Sequence, residues 1–141
     1  MTPEIHSIHT LYEGQTASLS FLVTDKMMKL FRELSGDKNP IHIDPSFARS
    51  KGFEDTLVYG GILVAQLSKM IGMYLPGLNG LWSSLSINFS NPLMIGESVE
   101  LIATITHVST ATLSVKLAFE FASKDSIIAN GSISAIVMES L

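Results

Sequence analysis

Apolar side chains near the start of the chain recur at the three-and-four spacing of one helical face. They are Met27, Leu30, Phe31 and Leu34, with charged residues between them. This pattern predicts an amphipathic helix, preceded by a short strand at residues 17–23. Thr24 or Asp25 would cap the start of the helix, and Gly36 supplies a permissive residue just past its end.

A second, shorter helix is indicated a few residues further on. Asp44 and Pro45 resemble an N-cap followed by a proline at the first helical position, so we expect a helix through Ser50 that Gly52 closes. Between the two helices, the Asn39-Pro40 pair disfavours helical backbone. Residues 37–42 are therefore predicted to form a loop that is fixed at both ends.

The segment at residues 59–77 is apolar nearly all round and is predicted to be a central helix, ended by Pro76 and Gly77. The longest apolar run, residues 57–75, contains Gln66, Ser68 and Lys69. These polar residues argue against a membrane span, which needs about 20 mostly apolar residues. We expect this helix to be buried by the rest of the chain.

The second half of the chain has the composition of strands. Segments rich in β-branched and aromatic residues are separated by turn residues. The predicted strands are 81–89, 99–108, 113–121 and 127–138, and the turns lie at 91–92, 109–110 and 124–125. We therefore predict an α+β fold in which an antiparallel sheet surrounds one long helix.

Composition limits the class of protein. A chain of 141 residues is expected to form a single domain, residues 1–141, and its 46% apolar content and mean hydropathy of +0.35 suggest that another subunit covers part of its surface. A net charge of -4 argues against nucleic acid as a partner.

The cellular setting is also constrained by composition. The chain has no cysteine, which excludes disulfides and thiolate metal sites and is compatible with a reducing cytoplasm. Its N-terminus has no cationic segment followed by an apolar stretch, so no secretory signal is visible and we expect a cytoplasmic protein. His6, His9 and His107 are scattered and suggest no metal site.

The loop at residues 35–47 contains the candidate chemistry. An acid at Asp37 and an imidazole at His42 can hold one water between them and act as a general acid and base. The alternative is structural: Asp37 would stabilise a turn before Asn39 and Pro40, and His42 would bond to the backbone. The pair together, between a helix end and a helix start, favours the catalytic interpretation.

Gly60 and Gly61 form the second candidate feature. At a helix start their N–H groups have no intrahelical acceptor and lie at the positive end of the helix dipole, which suits an oxyanion. The alternative is that the two glycines serve only close packing of the helix. The residues alone favour that structural alternative.

The run SGDKNPIHID at residues 35–44 resembles the signature of the R-specific enoyl-CoA hydratases, within the MaoC-like hydratase and dehydratase family of the hot dog fold. Nearly the whole chain fits this resemblance beyond about the first sixteen residues. The positions that match are Gly36, Asp37, Asn39, Pro40, His42, Phe53, Gly60, Pro76, Gly77 and the stretch 91–100.

The resemblance implies a long helix wrapped by a curled antiparallel sheet, paired into a homodimer or a larger homo-oligomer. It implies that the residues matching Asp37 and His42 hold a water that adds to a trans-2-enoyl thioester, giving the R-3-hydroxyacyl product. The Gly60 amide would be the oxyanion donor. The expected partner is an acyl-CoA or acyl carrier protein thioester, with coenzyme A only as the carrier of the substrate and no metal, flavin or nicotinamide.

Three other positions enter the site prediction through the resemblance. Tyr59 stands where many relatives have a histidine, and is expected to affect the pocket wall or the substrate. Ser68 matches a serine near the catalytic pair in some relatives, although a helical serine is more often a packing residue. Asn39 is expected to orient the loop or to stabilise the turn before Pro40.

Two other functions compete with hydration. A thioesterase of the same fold commonly uses a carboxylate on the central helix, and residues 56–75 contain neither Asp nor Glu. A non-catalytic acyl-binding subunit would keep the fold without the activity. The presence of both Asp37 and His42 argues against this second alternative.

Overall fold

The computed structural model describes residues 1–140 and contains five strands and three α-helices. In chain order the elements are β1 Thr16–Leu22, α1 Asp25–Ser35, a 3-10 turn Pro40–His42, α2 Pro45–Ser50, α3 Gly60–Lys69, a π-helical turn Met70–Tyr74, β2 Gly80–Phe89, β3 Ser98–Ser109, β4 Ser114–Ser123 and β5 Ser126–Val137. Each predicted strand is confirmed to within two residues at either end. These segments form strands, as predicted, because β-branched and aromatic residues alternate with polar ones along them.

The strands form one antiparallel sheet in the order β1-β3-β4-β5-β2. The sheet is open, so β1 and β2 are its two edges and each has a single neighbour. Alternate residues of β4 are buried, as expected for a sheet with one face against a core. The edge strand β2 is much more exposed along its length than β4.

Helix α3 lies against the covered face of the sheet. Its buried side chains Ile62, Leu63 and Leu67 belong to the same core as the inward residues of β3, β4 and β5. Leu67 is fully buried. The prediction of an antiparallel sheet around an apolar central helix is confirmed.

The central helix is less regular than the sequence pattern predicts. Regular α-helix ends at Lys69, and the chain continues as a π-helical turn in which the Leu75 N–H donates to the carbonyl oxygen of Met70 at 2.9 Å. Pro76 follows, and it has no N–H with which to continue the helix. Within residues 1–140, no helix is long and apolar enough to cross a membrane.

The predicted helix caps are present and fix the loop that carries the candidate chemistry. The Thr24 hydroxyl accepts from the Met27 N–H at 3.2 Å, so Thr24 rather than Asp25 is the N-cap of α1. Gly36 ends the helix with a left-handed φ of 72°, which glycine adopts without strain. The Asp44 carboxylate accepts from the first two free N–H groups of α2.

Candidate active site

The Asp37 carboxylate has one oxygen engaged in the turn and one directed towards His42. Its Oδ1 accepts from the Asn39 N–H at 2.9 Å. The backbone N–H of Asp37 donates to the Ser35 hydroxyl at 3.1 Å. The structural alternative for Asp37 and the catalytic interpretation are therefore compatible, because the turn uses a single carboxylate oxygen.

The imidazole of His42 is held by a backbone carbonyl. Its Nδ1 lies 2.8 Å from the carbonyl oxygen of Leu57, which can only accept, so Nδ1 carries the hydrogen. In the neutral ring Nε2 is then the free basic nitrogen. Nε2 lies 3.9 Å from Oδ2 of Asp37, and the two side chains are 17% and 45% exposed respectively.

The separation between these two atoms suits a shared water. At 3.9 Å they are too far apart for a direct hydrogen bond. A water about 2.8 Å from each atom would form an angle of roughly 90° between them, close to the angle between its two O–H bonds. Such a water would donate to both Nε2 and Oδ2 and would keep its lone pairs for other contacts.

A mainly apolar cleft of about 340 Å³ opens beside His42 and the start of α3. It includes Gly60, the first residue of α3, whose N–H has no intrahelical acceptor. The imidazole and the helix N-terminus therefore face the same space. The complete lining is His42, Phe53, Leu57, Val58, Gly60, Leu63, Phe89, Ser90, Asn91, Pro92, Leu93 and Ile128.

The two glycines are closely packed on different sides. A Cβ at Gly60 would lie 3.1 Å from two carbons of the Phe89 ring, which is 55% exposed. A Cβ at Gly61 would lie 2.2 Å from Cζ of Phe31, well inside van der Waals contact. Packing therefore explains Gly61, whereas Gly60 lies at the cleft surface.

Tyr59 lies behind the acid and the imidazole and does not line the cleft. It is only 1% exposed, and its ring stacks on that of His42 with 4.1 Å between centroids and 27° between planes. Its hydroxyl donates to the carbonyl oxygen of Asp37 at 2.7 Å. The sequence indicates an unusual residue here, but it does not reveal these contacts.

The other two predicted site residues are placed differently. Oδ1 of Asn39 accepts from the Ile41 N–H at 3.0 Å, which fixes the 3-10 turn that carries His42. Ser68 is exposed, eight residues and about 12 Å along the helix axis from Gly60. The structure does not bring Ser68 to the cleft.

A second, more polar cavity of about 390 Å³ reaches His42 from another side. Charged residues of both signs line it, namely Asp25, Lys29, Arg32 and Asp55. His42 lies between this polar cavity and the apolar cleft. Sequence spacing gives no signal for either Phe89 or Arg32 at the site, because both approach it through tertiary packing.

Comparison with known proteins identifies the family. Residues 9–120 match the model described as "MaoC like domain", and the chain belongs to this family. The resemblance predicted from the run at residues 35–44 is therefore confirmed. So is the hot dog fold, in the form of an open five-stranded antiparallel sheet with a central helix.

Relatives and solved structures agree with this assignment. The chain is 34% identical to an (R)-specific enoyl-CoA hydratase of Aeromonas caviae over 100 residues, covering 71% of this chain and 75% of the relative. It is 30% identical to the enzyme of that name from Rhodospirillum rubrum over 102 residues, covering 72% and 71%. The solved (R)-hydratase from A. caviae superposes with a TM-score of 0.87 at 27% identity, covering 92% of this chain and 98% of the other.

Proposed function

We propose that this chain is a lyase that hydrates trans-2-enoyl thioesters to R-3-hydroxyacyl thioesters, or catalyses the reverse dehydration. The observation that carries the proposal is the 3.9 Å separation between Nε2 of His42 and Oδ2 of Asp37, beside a cleft that also contains Gly60. The names of the relatives support the same reaction class.

In the proposed reaction, His42 is the base. The hydrogen bond from its Nδ1 to Leu57 leaves the Nε2 lone pair available, and Oδ2 of Asp37 orients the same water. As the water oxygen bonds to the β-carbon, its proton passes to Nε2. The π electrons move towards the thioester carbonyl, and the α-carbon then takes a proton from the imidazolium, whose charge the Asp37 carboxylate stabilises.

Negative charge develops on the thioester oxygen during this addition, and the N–H of Gly60 is the proposed donor to it. A preorganised donor of this kind typically contributes about 10²–10³ to the rate. Gly60 suits the role because its N–H lies at the positive end of the α3 dipole and it has no side chain to block approach. No metal, flavin or nicotinamide takes part in this proposal.

The two cavities suggest how the reactants divide the site. The apolar cleft, with Leu63, Phe89 and Ile128 in its walls, fits an acyl chain. The polar cavity on the other side of His42 offers water a route to the same imidazole. The carrier of the acyl group is coenzyme A or an acyl carrier protein, and we propose the cytoplasm as the compartment.

We further propose that the chain acts as a homodimer that pairs through the β2 edge. Within residues 1–140, β5 is the only strand that pairs with this edge, which exposes the side chains of Leu81 and Phe89, each at 55%. Pairing of two β2 strands would satisfy their free N–H and C=O groups and cover these apolar side chains. It would also bring a second chain close to the cleft, since Phe89 lines it.

The proposal is tested by incubating the purified protein with crotonyl-CoA and with longer enoyl-CoA thioesters. The ultraviolet absorbance of the conjugated enoyl thioester should fall, and the product should be the R-3-hydroxyacyl thioester by chiral analysis. Free thiol should not appear. Presentation of the same acyl groups on an acyl carrier protein would identify the preferred carrier.

Two results would contradict the proposal. Release of thiol without loss of the double bond would indicate a thioesterase. The absence of Asp and Glu from residues 56–75 argues against that outcome. No turnover of any chain length on either carrier would indicate a binding subunit without activity.

A further inference from the structure

Tyr59 connects the acid, the imidazole and the first long helix, although it lies outside the cleft. Its hydroxyl donates to the Asp37 carbonyl oxygen at 2.7 Å, a short and well-formed hydrogen bond. Asp37 and Tyr59 are 22 residues apart in the chain. The bond therefore joins the catalytic loop to the residue immediately before Gly60 and α3.

The ring of Tyr59 packs against two other aromatic rings. His42 stacks on it at 4.1 Å between centroids, and Phe31 packs against it at 4.8 Å with 41° between planes. The close approach of Phe31 depends on Gly61, where a Cβ would overlap the Phe31 ring. A ring held in this way limits the tilt of the imidazole as well as its own.

The hydroxyl of Tyr59 has a second partner. Since this hydroxyl donates to Asp37, its oxygen is free to accept, and Nε of Arg32 lies 3.4 Å from it. This contact is long, and Arg32 is only partly buried because it also faces the polar cavity. Arg32 therefore donates to the Tyr59 hydroxyl, which in turn donates to the carbonyl oxygen of Asp37.

We propose that Tyr59 is a positioning residue that sets the distance between Asp37 and His42, with Arg32 orienting its hydroxyl. This inference rests on the proposed function, since it assigns a role within the same site. The side chain of Asp37 is nearly half exposed, and apart from the bond from Tyr59, Asp37 contacts only Ser35, Asn39 and His42 of its own loop among residues 1–140. Without the Tyr59 hydroxyl, Asp37 loses this tether, its one long-range hydrogen bond, while the His42 stack and the bonds that Leu57 makes with Ile41 and His42 remain.

Tyr59→Phe separates the two contributions, because it removes the hydroxyl and keeps the ring. We expect kcat to fall about 10- to 100-fold with KM changed less than about twofold, as for a small misplacement of catalytic groups. The matched control is Tyr12→Phe, which removes a hydroxyl from an exposed tyrosine in the N-terminal segment. Its activity should equal that of the unmodified protein.

Hydrogen exchange provides a readout that does not depend on turnover. The N–H groups of Asn39, His42 and Asp44 are bonded within the loop. In Tyr59→Phe their exchange should be about tenfold faster while that of the sheet is unchanged, because only the loop opens more often. Arg32→Met should give a smaller change in the same direction, and it serves as the second variant if Tyr59→Phe folds poorly.

A double-mutant cycle links the tether to the acid. If Tyr59 acts through Asp37, then Tyr59→Phe combined with Asp37→Asn should be no slower than Asp37→Asn alone. Unchanged loop exchange, unchanged kcat or fully additive effects would each overturn the inference. Inactivity of the unmodified protein would instead refute the proposed function, and exchange in the loop would still decide whether the tether exists.

Discussion

The Nδ1 of His42 lies 2.8 Å from the carbonyl oxygen of Leu57, fifteen residues further along the chain. This bond determines the tautomer, because a carbonyl oxygen accepts and so Nδ1 must keep its hydrogen. It also directs Nε2 towards Asp37. The loop is itself tied to this region, since the Leu57 N–H donates to the Ile41 carbonyl oxygen at 3.0 Å.

We predict that both members of the pair are needed for hydration. His42→Ala removes the proposed base and should lower kcat by about 10²–10⁴, and Asp37→Asn should lower it by about 10²–10³ because the negative charge of the carboxylate is lost. Steady-state rates with crotonyl-CoA test this. If the two residues act on one water, as proposed, the double variant should be little slower than the less active single variant.

The matched control for this pair is His107→Ala, since His107 is exposed and its Nδ1 faces Glu13 at 3.5 Å in another part of the chain. It should keep full activity. A His42→Ala protein that retained more than about a tenth of the activity would exclude His42 as the base, given the usual size of general base catalysis.

Gly60→Ala is predicted to impair turnover by displacing the cleft wall. The new Cβ would lie 3.1 Å from the Phe89 ring, so the ring must shift or the methyl group must project towards the substrate. We expect kcat/KM to fall about 10- to 100-fold, the size typical of a small misplacement of substrate beside the proposed oxyanion donor.

Combining Gly60→Ala with Phe89→Ala distinguishes the two causes. If the ring contact alone is responsible, the double variant should have nearly the same kcat/KM as Phe89→Ala alone. If the methyl group blocks the approach of the thioester oxygen to the Gly60 N–H, no recovery should occur. Alanine keeps the backbone N–H, so a Gly60→Ala protein with unchanged kcat/KM would contradict the predicted displacement of the cleft wall by the new Cβ.

Local spacing was enough to predict much of this architecture. Apolar periodicity gave α1, and the Asp44-Pro45 pair gave the start of α2, because caps and helical faces depend on residues within one or two turns. The acid and imidazole were predictable for the same reason, since the loop between Gly36 and Asp44 holds both. The π-helical turn after Lys69 was not predicted, because apolar periodicity does not distinguish it from regular helix.

The supporting contacts of the site were beyond sequence reasoning. The bond to His42 comes from the backbone carbonyl of Leu57, which does not depend on the type of side chain at that position. Phe89 is distant from Gly60 in the chain and meets it only through the tertiary fold. Tyr59 stands where many relatives have a histidine, yet its burial against His42 and Phe31 depends on how α1 packs beside α3. Long-range packing, rather than local preference, sets these contacts.

Gly61→Ala is predicted to destabilise the fold. Its Cβ would lie 2.2 Å from the Phe31 ring, which cannot move freely because Tyr59 lies against it. Overpacking of this kind costs about 1–3 kcal/mol of unfolding free energy, and we expect the Tm to fall by roughly 3–10 °C. Thermal and denaturant unfolding measure both quantities.

Gly72→Ala is the matched control for that variant. A Cβ at Gly72 would meet no atom within 4 Å, and the residue lies in the π-helical turn. The substitution should leave the unfolding free energy unchanged or raise it by up to about 1 kcal/mol, because alanine restricts the unfolded chain. Equal destabilisation by the two alanines would show that general helix disturbance, rather than contact with Phe31, explains the effect.

Leu81→Lys is predicted to dissociate the proposed homodimer. Leu81 is 55% exposed on the β2 edge, where a second β2 strand would cover it, and a buried unpaired ammonium group would oppose that pairing. Light scattering after size exclusion should give about 31 kDa for the unmodified protein, twice the 15.3 kDa of one chain, and the monomer mass for the variant. Leu22→Lys is the control, because Leu22 is similarly exposed at 47% but lies on the opposite edge strand, β1. The Leu22→Lys protein should remain dimeric. Dissociation by Leu22→Lys with a dimeric Leu81→Lys would instead place the interface at β1, and a monomeric unmodified protein would refute the homodimer.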